Sequence, residues 1–232
     1  MKNLKEKIII ALDFANYNDA KKCVDQLKEA LFFKVGLQAF LEYGHLIIPY
    51  LKNKNKKLFL DLKFKDIPNT VYGAVKSSFI HEPDFLTIHV SGGSEMIKKA
   101  LEAAEERPEL TILGVTVLTS LSKRDLEETG IKLSTENAVL RLCQLGLASG
   151  LISFVCSPLE IEPIRKRFGN DATLVTPGIR PQWAAKGDQK RVFTPKMAVE
   201  AGSDYLVIGR PITQNENPPK AFKQILQEIS GQ

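Results

Sequence analysis

The feature of this chain that most limits its possible folds is a recurrence. Short apolar runs rich in β-branched residues alternate, eight times, with longer amphipathic stretches. The runs fall at residues 7–13, 32–36, 57–62, 85–90, 111–118, 151–156, 172–176 and 205–209. Several are continuously apolar, as parallel strands covered by helices are. The stretches between them carry legible helix starts. Asn18 is placed to cap a helix over 19–30, and Pro68 suits the first position of a helix reaching Phe79. Thr194-Pro195 opens a short helix that ends at Ala201-Gly202. Eight βα units in 232 residues predict a single-domain (β/α)8 TIM barrel over residues 1–232. An open doubly wound sheet is the other architecture that such alternation allows, but no glycine-rich fingerprint follows the first strand.

Composition removes several classes of function. No run reaches the roughly 18 apolar residues of a membrane span, and the start, Met1 to Lys7, shows no signal peptide. Three cysteines, Cys23, Cys143 and Cys156, form no C-x-x-C pair and suggest neither a disulfide framework nor a structural zinc site. They read as packing residues of a cytoplasmic protein. The net charge of +5 is spread along the chain. Its densest cluster, Lys52, Lys54, Lys56 and Lys57, reads as the solvated end of a helix. No basic patch with interleaved aromatics is present, so no nucleic-acid partner is expected.

A barrel of this kind carries its chemistry at the C-terminal ends of its strands. The polar residues at those positions are Asp13, Lys34, Asp61, Lys63, Asp66, His89, Thr119, Ser120, Arg180 and Arg210. Within the segment 60–70, strand alternation puts Asp61 and Lys63 on one face, which is the barrel mouth if Leu62 points to the helices. Lys34, ending the preceding strand, then lies beside Asp61. Charges in such a place are costly unless paired, and an alternating lysine–aspartate array meets that condition while keeping the lysines protonated. A protonated lysine among carboxylates is a proton donor and stabilises negative charge, which suits a carbanion reaction. The same residues also read as a salt-bridge network that steadies the rim, with Asp66 capping the following helix.

The last two strands carry a second signal, since the loops after strands seven and eight bind phosphate in many barrels. Here they read Thr176-Pro177-Gly178-Ile179-Arg180-Pro181 and Ile208-Gly209-Arg210-Pro211. Glycine admits backbone N–H groups to an anion, and arginine offers it a planar fork. The polar loop 182–191 between them, with Trp183, Gly187 and Gln189, reads as a lid.

On these residues the chain resembles the orotidine 5′-phosphate decarboxylase family in its compact bacterial form. The matching segments run in the family's order over nearly the whole chain. They are Ala11-Leu12-Asp13, Lys34-Val35-Gly36, the block from Asp61 to Thr70, His89-Val90-Ser91-Gly92-Gly93, Val115 to Ser120, Thr176 to Pro181, Gly187-Asp188-Gln189 and Val207 to Pro211. Lys65 stands where the family often has histidine.

The resemblance implies decarboxylation of orotidine 5′-phosphate to UMP and CO2, the last step of de novo pyrimidine nucleotide synthesis, by a homodimer of TIM barrels with no metal and no organic cofactor. It implies a catalytic tetrad of Lys34, Asp61, Lys63 and Asp66, with Asp66 and Thr70 reaching the neighbouring subunit's site. Asp13 and Lys34 would bind ribose hydroxyls. Thr119 and Ser120 would face the nucleotide. Gln189, Gly209 and Arg210 would hold the phosphate, with Arg180 nearby.

Three rival readings stand beside it. A magnesium-dependent sugar-phosphate decarboxylase or aldolase of the same suprafamily would share Asp-x-Lys-x-x-Asp, but Lys34 occupies the position of an expected acidic ligand. A Schiff-base aldolase would need Lys63 with a depressed pKa, which flanking carboxylates oppose. A non-catalytic nucleotide-phosphate-binding barrel would not need a complete tetrad.

Overall fold

The computed structural model describes residues 4–184 and 193–231. Among the described residues, eight parallel strands close into a barrel in sequence order. They are β1 (Ile8–Ala11), β2 (Phe32–Gly36), β3 (Lys57–Phe64), β4 (Phe85–His89), β5 (Thr111–Val115), β6 (Ser153–Val155), β7 (Thr173–Pro177) and β8 (Tyr205–Ile208). Pairing of β1 with β8, Ile9 opposite Val207, completes the ring. The helices of the described residues are α1 (Tyr17–Gln26), α2 (Leu37–Asn53), α3 (Pro68–Ser78), α4 (Ser94–Ala104), α5 (Lys123–Glu128), α6 (Thr135–Ala148), α7 (Ile161–Phe168), α8 (Pro195–Glu200), α9 (Arg210–Thr213) and α10 (Pro218–Ser230). None is long and apolar enough to cross a membrane.

Local chemistry explains most helix starts. Ser134, Thr194 and Asn217 each accept a backbone N–H three residues on, and proline takes the first position of α3, α8 and α10. The cap of α1 is Asn16, whose Oδ1 accepts the Asp19 N–H, and not the expected Asn18. The helix therefore begins two residues earlier, at Tyr17, and stops at Gln26, short of residue 30. The strands at 111–118 and 151–156 are also shorter than their apolar runs, β5 ending at Val115 and β6 at Val155, although Val117 and Cys156 beyond them are still buried.

Two cores result. The larger lies between sheet and helices and contains Leu60, Ile88, Cys23, Cys143 and Cys156, the last three as buried free thiols. Burial pushes Cys23 and Cys143 up to about 12. The smaller fills the barrel itself with Ile9, Phe32, Phe59, Phe85, Leu113, Val175 and Tyr205, among others. Its rings meet edge-on or tilted, Phe32 to Phe85 at 4.9 Å and Phe85 to Tyr205 at 5.0 Å between centroids. Each buried ring of this kind stabilises by about 1.5–3 kcal/mol through area alone, and each such pair adds about 0.5–1.5 kcal/mol.

The base of the barrel is held by two matching clasps. Asp84, just before β4, accepts the Leu58 N–H at 2.8 Å and takes Lys52 at 3.7 Å, while Lys52 also bonds the Glu82 carbonyl. Asp204, just before β8, accepts the Leu174 N–H at 2.8 Å and the Arg165 guanidinium at 2.8 Å, while Arg165 also donates to the Gly202 carbonyl at 2.7 Å. The lysine cluster at 52–57 is thus no simple solvated helix end. Lys54 pairs with Asp25, Lys56 donates to the Lys28 and Ala30 carbonyls, and Lys57 pairs with Glu6. β3 starts at Lys57, so these side chains land on carbonyls and carboxylates of the neighbouring turns.

Replacing Asp204 by alanine leaves Arg165 and the Leu174 N–H without their carboxylate. The expected loss is about 2–3 kcal/mol of unfolding free energy. Asp204→Asn, which keeps an acceptor oxygen, recovers part of it. Urea denaturation of both variants reads this, and an Asp204→Ala midpoint equal to that of the parent would refute the clasp.

Candidate active site

The C-terminal rim of β1, β2 and β3 carries a continuous charge chain. Lys34 Nζ lies 3.1 Å from Asp13 Oδ1 and 3.3 Å from Asp61 Oδ2. Lys63 Nζ lies 2.7 Å from Asp61 Oδ1. The Lys34 and Asp61 side chains are only 11% and 14% exposed, so these charges are largely out of water and each needs its partner. Burial works to raise the Asp61 pKa, but the charges of Lys34 and Lys63 outweigh it and hold the carboxyl below its usual range. Burial likewise works to lower the Lys34 pKa, and the carboxylates of Asp61 and Asp13 outweigh it, so the ammonium is held above the usual lysine range. Both groups stay ionised at neutral pH.

Within one chain, the fourth member of this array is Asp13 and not Asp66. Asp66 is exposed beyond β3, where its carboxylate accepts the Ile67 N–H at 2.7 Å. Thr70, in the first turn of α3, is also exposed.

The Asp61–Lys63 pair rests on an irregular strand. Leu60 pairs with Leu86 and Phe64 with Ile88, so residues 61–63 of β3 face the single residue Thr87 of β4. This bulge carries Lys63 at φ 54, a left-handed conformation that costs a non-glycine residue about 1–3 kcal/mol. Leu62 and Phe64 still pack on the helix-side core, while Asp61 and Lys63 face inward. The ladder bond that the bulge interrupts is replaced by a side chain, since the Lys63 N–H donates to Thr87 Oγ1 at 2.9 Å.

The inward charges line a cavity of about 330 Å3, within the size range of small-molecule sites. Of the residues singled out from the sequence, Asp13, Lys34, Asp61, Lys63, Thr119, Arg180, Gly209 and Arg210 line it. Asp66, Thr70 and Ser120 do not, and Gln189, with Gly187 and Asp188, lies outside the described residues. Sequence reading missed the cavity's apolar wall, formed by Val115, Val117, Val155, Ile179 and Val207. Valines ending apolar strands carry no signal that separates a site wall from core. The cavity thus has a charged side on β1–β3, an apolar side on β5, β6 and β8, and two arginines on the loops after β7 and β8. Gly178, at φ 80, turns the chain between the apolar wall and Arg180. A further depression shares Arg180, Arg210 and Pro211 and continues past Trp183 and Gln214.

His89 sits half-buried at the end of β4. Burial lowers its pKa, helped by the ammonium groups of Lys65 and Lys63, which favours the neutral imidazole. His45 is exposed, and His81 packs edge-on against Phe40.

Gly36 is the point where backbone and charge come closest. A Cβ built there would stand 3.0 Å from Lys34 Nζ and 3.4 Å from Asp13 Oδ1. Gly36→Ala is therefore expected to crowd the ammonium against Asp13 and to lower the unfolding free energy by about 1–3 kcal/mol. Urea denaturation checks this, and a parental midpoint in the variant would contradict it.

Comparison with known proteins agrees with this geometry. The family model described as "Orotidine 5'-phosphate decarboxylase / HUMPS family" matches residues 6–225. A protein from a Nostoc species named orotidine 5′-phosphate decarboxylase is 43% identical, with 97% of this chain and 98% of that protein covered. One of the same name from Staphylococcus saprophyticus is 42% identical, with 100% of each chain covered. The crystal structure of orotidine 5′-phosphate decarboxylase from Lactobacillus acidophilus superposes with a TM-score of 0.86 at 37% identity, covering 97% of this chain and 99% of that one.

Proposed function

The chain belongs to the orotidine 5′-phosphate decarboxylase / HUMPS family, and from that premise we propose how its own residues carry out the reaction. It decarboxylates orotidine 5′-phosphate to UMP and CO2, a step of pyrimidine synthesis. The observation that carries the reading is the Lys34–Asp61–Lys63 array set against an apolar wall in one cavity.

Breaking the bond between ring carbon six and the carboxylate leaves its electron pair on that carbon as CO2 departs. The Lys63 ammonium stabilises the developing charge by proximity and then transfers a proton to the same carbon. Asp61 keeps that ammonium in place. The valine wall gives neutral CO2 a favourable surface. Lys34 and Asp13 hold the ribose hydroxyls, and Thr119 and Ser120 face the base. Arg210 and Gly209, with Gln189 and the nearby Arg180, hold the phosphate. Binding energy from this remote group serves to organise the reacting end.

No metal and no organic cofactor enters this scheme. Among the described residues no group of three or more His, Cys, Asp or Glu is gathered to hold a metal ion, and Lys34 places a positive charge beside the Asp61 carboxylate that a cation would need.

The whole chain acts as one catalytic domain and works as a homodimer in the cytoplasm, its three cysteines kept as free thiols. Asp66 and Thr70, exposed on one chain, complete the neighbouring subunit's site. Exposed Leu37 and Leu41 on α2 and Ile67 beside Asp66 offer an apolar surface for that partner.

Two measurements test the reading. Purified protein in excess EDTA is expected to change the ultraviolet spectrum from that of orotidine 5′-phosphate to that of UMP, and folded Lys63→Ala is expected to leave it unchanged. Fast turnover by Lys63→Ala would remove the proton donor. For the dimer, inactive Lys63→Ala and inactive Asp66→Ala proteins are mixed and allowed to exchange subunits. Each mixed dimer then has one site with both residues intact, so activity returns. Persistent inactivity in a mixture shown to contain mixed dimers would place Asp66 in its own subunit's site.

A further inference from the structure

The bulge in β3 needs something to hold it, and one side chain from β4 bonds both its main chain and its carboxylate. Phe85 belongs to the barrel-filling core, so alternation along β4 also turns Thr87 inward, at the level of Asp61. Thr87 is fully buried, and it alone faces the three bulged residues 61–63. A hydroxyl has one proton to donate and lone pairs to accept with. Thr87 uses both. Its Oγ1 accepts the Lys63 N–H at 2.9 Å and donates to Asp61 Oδ1 at 3.2 Å. Asp61 Oδ1 also receives Lys63 Nζ at 2.7 Å. The main chain and the ammonium of Lys63 are therefore tied to one carboxylate oxygen, the first through Thr87 and the second directly.

We propose that Thr87 is a positioning residue of this site, whose hydroxyl locks the left-handed Lys63 backbone to Asp61 and so sets where the Lys63 ammonium stands relative to the reacting carbon. The inference rests on the proton-donor reading of Lys63. Thr87 is fully buried and does not line the cavity. Its effect on the reaction runs through Lys63. A left-handed non-glycine residue persists only where its surroundings over-determine it, and here the Thr87 hydroxyl holds its N–H while the Asp61 carboxylate holds its ammonium. Without the hydroxyl, the Lys63 N–H is left without its acceptor, β3 is free to relax its φ, and the ammonium moves with the backbone.

The test is a set of substitutions that separate the hydroxyl from the bulk of the side chain. Thr87→Ser keeps the hydroxyl and loses the methyl. Thr87→Ala loses both, and Thr87→Val keeps the shape without the hydroxyl. Steady-state kinetics with orotidine 5′-phosphate, corrected for sites able to bind UMP, is expected to give near-parental kcat for Ser. For Ala and Val, kcat is expected to fall on the order of 100-fold, the penalty of a misplaced group, with KM little changed. Equal kcat for Ser and Ala, or a change confined to KM, would overturn the proposal. If Ala and Val fail to fold, Thr87→Cys replaces them, since its thiol nearly matches Ser in shape but is a weak hydrogen-bonding group. The prediction for Cys is the same loss of kcat, and Ser-like turnover would overturn the proposal. Lys63→Ala is run in parallel. Turnover by that variant defeats the proton-donor reading itself, whereas an inactive Lys63→Ala alongside fully active Thr87→Ala defeats the role of Thr87 alone.

Discussion

A carboxylate withdrawn from water at the mouth of a barrel stays ionised only if cations surround it, and Asp61 has one on each oxygen. Lys34 approaches Oδ2 and Lys63 approaches Oδ1. This double ion pair dictates much of the nearby architecture. Lys34 must lie nearly buried on β2, and Asp13 then balances its remaining charge. Gly36 leaves that ammonium room, since a Cβ there would stand 3.0 Å from it. Lys63 meets Asp61 from a left-handed backbone within the β3 bulge. The result is a group of two aspartates and two lysines whose formal charges cancel.

Much of this was readable from the chain. The eight apolar runs marked the strands because a parallel barrel leaves no strand face to water, and Pro68, Thr194 and the arginines after the last two strands fell where expected. Asp61 and Lys63 were readable as partners because strand alternation is a local rule. The bulge was not. A register shift depends on what the neighbouring strand presents, and Thr87 in Phe85-Leu86-Thr87-Ile88 reads simply as another β-branched strand former. The misplaced cap had a similar origin. Asn16 and Asn18 both stand before an amphipathic stretch, and only the path of the chain out of β1 decides which of them meets the open N–H groups of α1. Asp66 and Thr70 were expected beside the charge array, and in this chain both lie exposed outside the cavity.

Stability and chemistry are set apart along the barrel axis. At the base, Asp84 and Asp204 spend their charge on backbone N–H groups and basic side chains half a ring apart, on β4 and β8. At the rim, the charges bond mainly to one another around a cavity, and the strained residue is there too. Loop variation at the rim leaves the base clasps untouched, which is the general advantage of this architecture for catalysis.

The aromatic packing inside the barrel has a consequence for molecular traffic. Phe32, Phe59, Phe85 and Tyr205 fill the lumen below the charge array, with no ring more than 9% exposed. The pocket is consequently a vessel with a closed floor. Nucleotide enters and leaves through the rim, and the gas released at carbon six must pass the same opening instead of draining through the barrel. Departure of CO2 and release of UMP thus share one gate, and the floor keeps bulk water from approaching the carbanion from below.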